Sequence, residues 1–244
     1  DERNSLVGSE MCIRDRSYRR EVEALTCLRH PNVIRILGSG DSADGRPFIA
    51  LEWIPRDLLS ERERRGSEGF EGWDSFAEEI ALPVLEALAY AHGQSVCHRD
   101  LKPANVLVAA DGTIRLADFG IAKLKRELQP RLTLNEFASR PFAAPEPDAG
   151  KRTYARDVFS FGALCVWALH PAVIKDYDDL NAALAEFDAP PPLIDIIAKC
   201  LRHDPAERYE TAAFLLNDFR RLQAERSRQR MAKIRPSLLV GFSH

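Results

Sequence analysis

The sequence predicts an α+β fold in two unequal parts: a small one of a helix plus a hairpin, and a larger, mainly helical one. Three observations carry that expectation. Strand-like alternation is confined to short runs, at residues 33–37, 47–53 and 113–117. Long stretches with apolar residues at helical spacing, at 73–92, 154–170 and 211–222, fill the second part. Turn-rich segments, such as the one from Gly38 to Gly45, separate the runs.

Taken in order, residues 1–16 share neither period with the rest. Their run LVGSEMCIRDR resembles a peptide translated from sequencing-adapter DNA and is read as an artefactual or disordered leader. Between Tyr18 and Arg29, the residues Val22, Leu25 and Leu28 recur at helical spacing, and Pro31 ends that helix. Residues 33–37 and 47–53 read as two strands. A lone two-stranded ribbon is marginal in water, so an open edge and an uncovered apolar face are expected before about Pro55. Trp53 is expected to pack rather than to touch a cofactor.

Residues 56–72 are polar, and Glu61 to Arg65 read as a solvated helix face. In the helix at 73–92, Phe76, Ile80, Val84 and Leu88 form an i, i+4 stripe suited to burial. Pro83 inside it removes a backbone donor and predicts a kink. The helix at 154–170 is apolar all round, which places it in mid-domain. Pro190 to Pro192 break the chain before helices at 193–201 and 211–222. From Gln223 onward the chain is basic and reads as an exposed helical extension, and residues 237–242 read as the start of a segment cut off.

Composition excludes several classes. Of 244 residues, 45% are hydrophobic and 29% charged, as in an ordinary soluble domain. A net charge of −3 makes no case for nucleic acid or a polybasic membrane contact. The five cysteines are scattered without a C-x-x-C, so buried free thiols in a reducing compartment are expected. No apolar run reaches the length of a membrane span, and cytoplasmic is the expected location.

The chemistry concentrates between the helix at 73–92 and a short strand at 106–108. There, His98 to Leu107 reads H-R-D-L-K-P-A-N-V-L, a loop with one carboxylate (Asp100), one ammonium (Lys102) and one amide (Asn105). Phosphoryl transfer needs such a set: a base to orient a hydroxyl, a cation on the moving phosphate, and oxygen ligands for Mg²⁺. A second carboxylate follows the strand at 113–117, in Asp118-Phe119-Gly120, and Ala144-Pro145-Glu146 comes later.

These three motifs, in this order, resemble the catalytic loop, D-F-G and A-P-E of protein kinases. The resemblance covers roughly Tyr18 to Leu222. It implies a protein-kinase-like bilobal fold, with an incomplete small lobe at 17–55, a large lobe at 56–222 and a basic extension at 223–244. It also implies ATP and Mg²⁺ as cofactors and a protein Ser/Thr hydroxyl as acceptor. Asp100 would orient that hydroxyl, Lys102 would meet the γ-phosphate, and Asn105 and Asp118 would hold the metal. Leu51 would be the gatekeeper, Glu52 to Ile54 the hinge whose backbone reads adenine, and Leu107 the surface beneath the adenine.

Glu21 falls where the family's ion-pairing glutamate belongs, yet no lysine precedes Lys102 and no G-x-G-x-x-G precedes the helix. The chain is therefore read as a kinase fragment of weak or no activity, with a pseudokinase binding module as the alternative and a small-molecule phosphotransferase as the weakest option. By the same resemblance, Asp157 would anchor the catalytic loop and Arg208 would pair with Glu146. Thr133 would be a phosphorylation site facing Arg99, and Ser139 would contact the catalytic Asp and Lys.

Overall fold

The structure is a computed structural model that describes residues 26–43, 47–66, 70, 72–119, 141–147, 154–170 and 173–239. Strands β1 (Ile36–Asp41) and β2 (Pro47–Leu51) pair antiparallel. A second sheet has the order β3-β4-β5, from β3 (Arg56–Asp57), β4 (Val106–Val108) and β5 (Ile114–Leu116). The helices are α1 (Leu58–Arg65), α2 (Gly72–Phe76), α3 (Leu82–Gly93), α4 (Tyr154–Leu169), α5 (Tyr177–Ala185), α6 (Pro191–Cys200) and α7 (Ala212–Leu239). Most of the helix expected at 18–29 lies outside the described residues.

The first strand is displaced from its expected position. Residues 32–34 are taken up by β5 instead: Ile34 N–H donates to Leu116 O (2.8 Å), Leu116 N–H donates to Asn32 O (2.8 Å), and the Asn32 amide donates to Ile114 O (3.0 Å). This tether joins the small part to the large one and pushes β1 forward into the stretch expected as a turn. Gly38, Ser39 and Gly40 extend there and pair with β2, and the Phe48 ring lies over Gly40, where a Cβ would come within 3.3 Å of it. Leu37 and Phe48 stay exposed, as expected of an uncovered ribbon.

Pro83 follows a local change in helical winding. Between α2 and α3 the chain makes a π turn (Ala77–Ala81), in which Leu82 N–H reaches back to Ala77 O. The extra residue leaves Pro83 in the first turn of α3, where its missing N–H has no helical partner to lose. The stripe of Phe76, Ile80, Val84 and Leu88 is fully buried and packs in one core with Phe161 and Leu164 of α4 and Phe219 of α7. At Gly162, α4 meets α6 so closely that a Cβ would sit 2.8 Å from Cys200 Cβ. Among the described residues, Cys165 and Cys200 are buried free thiols, Cys97 is buried and in no disulfide, and Cys27 is exposed.

Two charged runs expected to face solvent hold helices together. Glu61 is only 2% exposed. It takes hydrogen bonds from Arg64 (2.7 and 3.0 Å) and Arg65 (3.1 Å), and Arg65 also reaches Glu79 (2.7 Å). Arg62 donates to Trp167 O (2.7 Å) and His170 O (2.8 Å), closing the C-terminus of α4. Helix α7 runs on past residue 222, and Arg226 grips Asp74 of α2 with two bonds, 2.8 and 2.9 Å.

The Arg64 hydrogen bond, outweighing burial and helped by Arg65, holds the Glu61 carboxyl down at about 2, against 4.5 ordinarily. Its folded value lies below its unfolded one, so its contribution is complete above pH 4.5 and fades as pH falls towards about 2. Urea unfolding from pH 5 to 2 is expected to show a shallower acid loss for Glu61→Gln than for the unaltered chain. Parallel curves would remove Glu61 from the acid response.

Candidate active site

The site forms where α3 ends and the first turn of α4 begins. Asp157 in that turn is fully buried. Its carboxylate accepts the backbone N–H of His98 and of Arg99, both at 2.7 Å, and the His92 ring at 2.9 Å. His92 Nδ1 in turn accepts Ala212 N–H at 3.1 Å, which places the ring proton on Nε2, pointing at Asp157. Burial alone would raise the Asp157 carboxyl. The His92 hydrogen bond and the Arg99 N–H outweigh it and hold the group below the usual carboxylate range.

These bonds fix a strained loop. Arg99 has φ of 69° and Asp118 has φ of 62°, both left-handed. Such a conformation costs a non-glycine residue about 1–3 kcal/mol, so surrounding contacts must impose it. Within the loop, Lys102 Nζ lies 2.8 Å from Asp100 Oδ2. Asn105 Nδ2 lies 3.1 Å from the same oxygen and 2.6 Å from the Asp100 carbonyl. Asn105 O accepts Ala117 N–H (2.9 Å), stitching the loop to the end of β5 just before Asp118. The His98 ring packs on Phe119 at 4.5 Å, and the fields of Asp157, Asp100 and Asp118 all reach it. Burial is the larger effect and pushes the His98 pKa down. Asp100, Lys102 and Asn105 are thus brought to one bend, and the Asn105–Ala117 bond sets Asp118 next to it along the chain.

Leu51 closes β2, and residues 52–55 run from there to β3. The register sets Asp57 opposite Leu107, and Leu107 opposite Arg115. Leu51, Ile54 and Leu107 are half-buried. The Glu52 carboxylate accepts Arg35 N–H (2.9 Å) and lies 3.5 Å from Arg115 Nε. Trp53 does not pack as expected: it is 88% exposed, because the extended chain turns 54 and 56 inward and 53 and 55 outward. Glu21, Thr133 and Ser139 lie outside the described residues.

Two site residues escaped the sequence reading. Asp57, across from Leu107, caps α1 by accepting Ser60 N–H at 2.8 Å. His92 is the other, and a signal for it existed: it is the next i+4 step after Leu88 on the buried stripe, a polar residue where an apolar one is due.

The donor set fits Mg²⁺. The Asn105 amide nitrogen is committed to Asp100, which leaves its oxygen for a cation, and carboxylate and amide oxygens are the hard ligands this ion takes. Among the described residues, no group of three or more His, Cys, Asp or Glu comes together to cage a metal.

The predicted Arg208–Glu146 pair is formed, with Nη1 and Nη2 at 2.9 and 2.8 Å from the two carboxylate oxygens. A probable serine/threonine-protein kinase of Clostridium perfringens is 28% identical over 86% of this chain, which spans 32% of that relative. The Aurora kinase of Schizosaccharomyces pombe is 31% identical over 84% of the chain, which spans 58% of it. The probable serine/threonine-protein kinase PknB of Lactococcus lactis is 28% identical over 82%, with 34% of its length spanned. The chain thus covers between about a third and somewhat over half of these relatives. The sequence profile of the protein kinase domain matches residues 6–219, so this chain belongs to the protein kinase domain family.

Proposed function

We propose that the protein is an ATP-dependent serine/threonine kinase that transfers a γ-phosphate to a protein hydroxyl. The observation that carries this is the convergence of Lys102 and Asn105 on a single oxygen of Asp100. With Oδ2 held, Oδ1 is the acceptor for the substrate hydroxyl, and the Lys102 ammonium stands next to where the incoming phosphate charge lies. Asn105 and Asp118 hold Mg²⁺, which when bound neutralises charge on the phosphates. Leu51 and the 52–54 backbone bound the adenine site, with Leu107 beneath and Asp57 at its rim. Glu21 stays part of this proposal as the residue at the family's ion-pairing position, although this chain holds no lysine before Lys102.

Serine or threonine as acceptor is supported by Lys102 lying two residues after Asp100 and by the names of the relatives. A cytoplasmic site of action is supported by the buried free thiols. Among the described residues, no helix is long and apolar enough to cross a membrane. The alternative reading is a pseudokinase that binds without turnover.

Thermal unfolding with Mg·ADP tests the site. A ligand at 100 times its Kd stabilises the chain by about 2.7 kcal/mol, and Asp118→Asn is expected to abolish most of that gain. Phosphate transfer to a generic protein substrate is expected to be weak or nil, and to vanish in Asp100→Asn. No nucleotide-dependent stabilisation of the unaltered chain would overturn the proposal. Stabilisation with no transfer at all would select the pseudokinase reading.

A further inference from the structure

A cavity of about 440 Å³ lies against the side chain of Glu52, outside the set Leu51, Ile54 and Leu107 that bounds the nucleotide. Arg29, Arg35 and Arg115 line it with Glu52, and Leu28 and Val33 are its buried apolar residues. We propose that this cavity is a binding site for a phosphate monoester group, and that its occupation loosens the hinge.

The argument begins with charge. Three arginines and one glutamate line the cavity, leaving about two unbalanced positive charges among its lining residues in a chain whose net charge is −3. Such a surplus against the prevailing sign draws an anion to this spot. A phosphate monoester carries about −1.5 to −2 at pH 7 and balances the surplus, whereas a carboxylate offsets half of it. Guanidinium is also the side chain best shaped for phosphate oxygens.

Geometry supplies the link to the hinge. Arg115 Nε stands 3.5 Å from Glu52 Oε1, a long contact through one nitrogen, while its Nη1 donates to Ile114 O at 3.2 Å. The same Glu52 oxygen accepts Arg35 N–H at 2.9 Å, so one carboxylate ties residues 52–55 both to β5 and to the chain before β1. A dianion in the cavity competes with Glu52 for Arg115 and releases the tie to β5. The tie of Glu52 N–H to Arg35 O at 2.9 Å remains. Phosphate binding therefore weakens nucleotide binding, and linkage requires the reverse by the same factor. The binding stands on the cavity alone; the coupling rests on the kinase reading of the 52–54 backbone.

Calorimetric titration of the whole chain with inorganic phosphate, and with a short phosphoserine peptide, tests this, each with and without Mg·ADP. Binding is expected in the unaltered chain. Arg29→Ala with Arg35→Ala should weaken it at least about tenfold, what the loss of a single charged hydrogen bond would give, with the unfolding midpoint unchanged. Tighter binding of the peptide identifies the source as a phosphorylated chain, and tighter binding of inorganic phosphate identifies the free ion. No binding, or binding that the paired substitution leaves intact, overturns the site. Phosphate binding that Mg·ADP does not weaken overturns the coupling. A chain that takes phosphate but no Mg·ADP overturns the kinase reading instead, a separate failure.

Discussion

Asp157→Ala is expected to lower the free energy of unfolding by about 3–5 kcal/mol and to remove any Mg·ADP-dependent stabilisation with it. The magnitude follows from the donors left behind. His98 N–H, Arg99 N–H and the His92 Nε2 proton all end on this one carboxylate, inside the core. Each buried donor without a partner costs about 1–3 kcal/mol, and alanine adds a small cavity. The functional loss has a different origin. Arg99 keeps its left-handed φ of 69° only because Asp157 holds its N–H. Once released, residues 98–100 relax towards ordinary backbone, and Asp100 leaves the point where Lys102 and Asn105 meet it.

His92→Phe separates the two effects. It keeps the ring volume beside Tyr154, removes one of the three donors, and orphans Ala212 N–H. A loss of about 1–3 kcal/mol is expected there, with nucleotide binding retained. Urea unfolding gives the stability, and nucleotide-dependent shifts of the midpoint give the binding. An Asp157→Ala chain with wild-type stability would mean that other contacts hold the loop.

Much of this centre was legible in the sequence because it rests on short-range constraints. From His98 to Asn105, eight consecutive residues include Asp100, Lys102 and Asn105, so their spacing is written directly in the chain. The buried stripe from Phe76 to Leu88 was equally plain, since helical period and burial coincide. Glu61 and Arg62 were misjudged for a long-range reason. Charge on a helix normally marks solvent, and only the approach of α4 and the π turn supplies the carbonyls and the Glu79 carboxylate that make those charges a seam. Pro83 shows a similar limit: the sequence declares a missing donor, and a five-residue turn is one of several ways to accommodate it. Trp53 was misjudged because a tryptophan ordinarily seeks cover, whereas its face was set by the strand period on either side.

Arg208→Lys is expected to cost about 3–5 kcal/mol, although it keeps the charge. The Arg208 side chain is fully buried, and all five of its N–H groups have acceptors. Nε donates to Arg202 O (2.6 Å), Nη1 to Glu146 Oε1 (2.9 Å) and Ala155 O (3.2 Å), and Nη2 to Glu146 Oε2 (2.8 Å) and His203 O (2.9 Å). A lysine has three donors on one atom and cannot span acceptors on both sides of a planar fork. It would leave buried carbonyls unmet and the Glu146 carboxylate with one ligand in place of two. Arg156 Nη1, 3.9 Å from Glu146 Oε1, is too far to substitute. The consequence reaches residues 141–147, because the Glu146 carboxylate fastens that segment to Arg208 in the helical core. Hydrogen exchange at Phe142 and Ala144 should therefore quicken in Arg208→Lys and in Glu146→Gln, while exchange in α3 stays slow. A double-mutant cycle in urea gives the pair's coupling directly. A value under about 0.5 kcal/mol, the range of independent sites, would show that the segment is held by Phe142 against Trp167 and by Tyr177 at Ala143 O, and not by the ion pair.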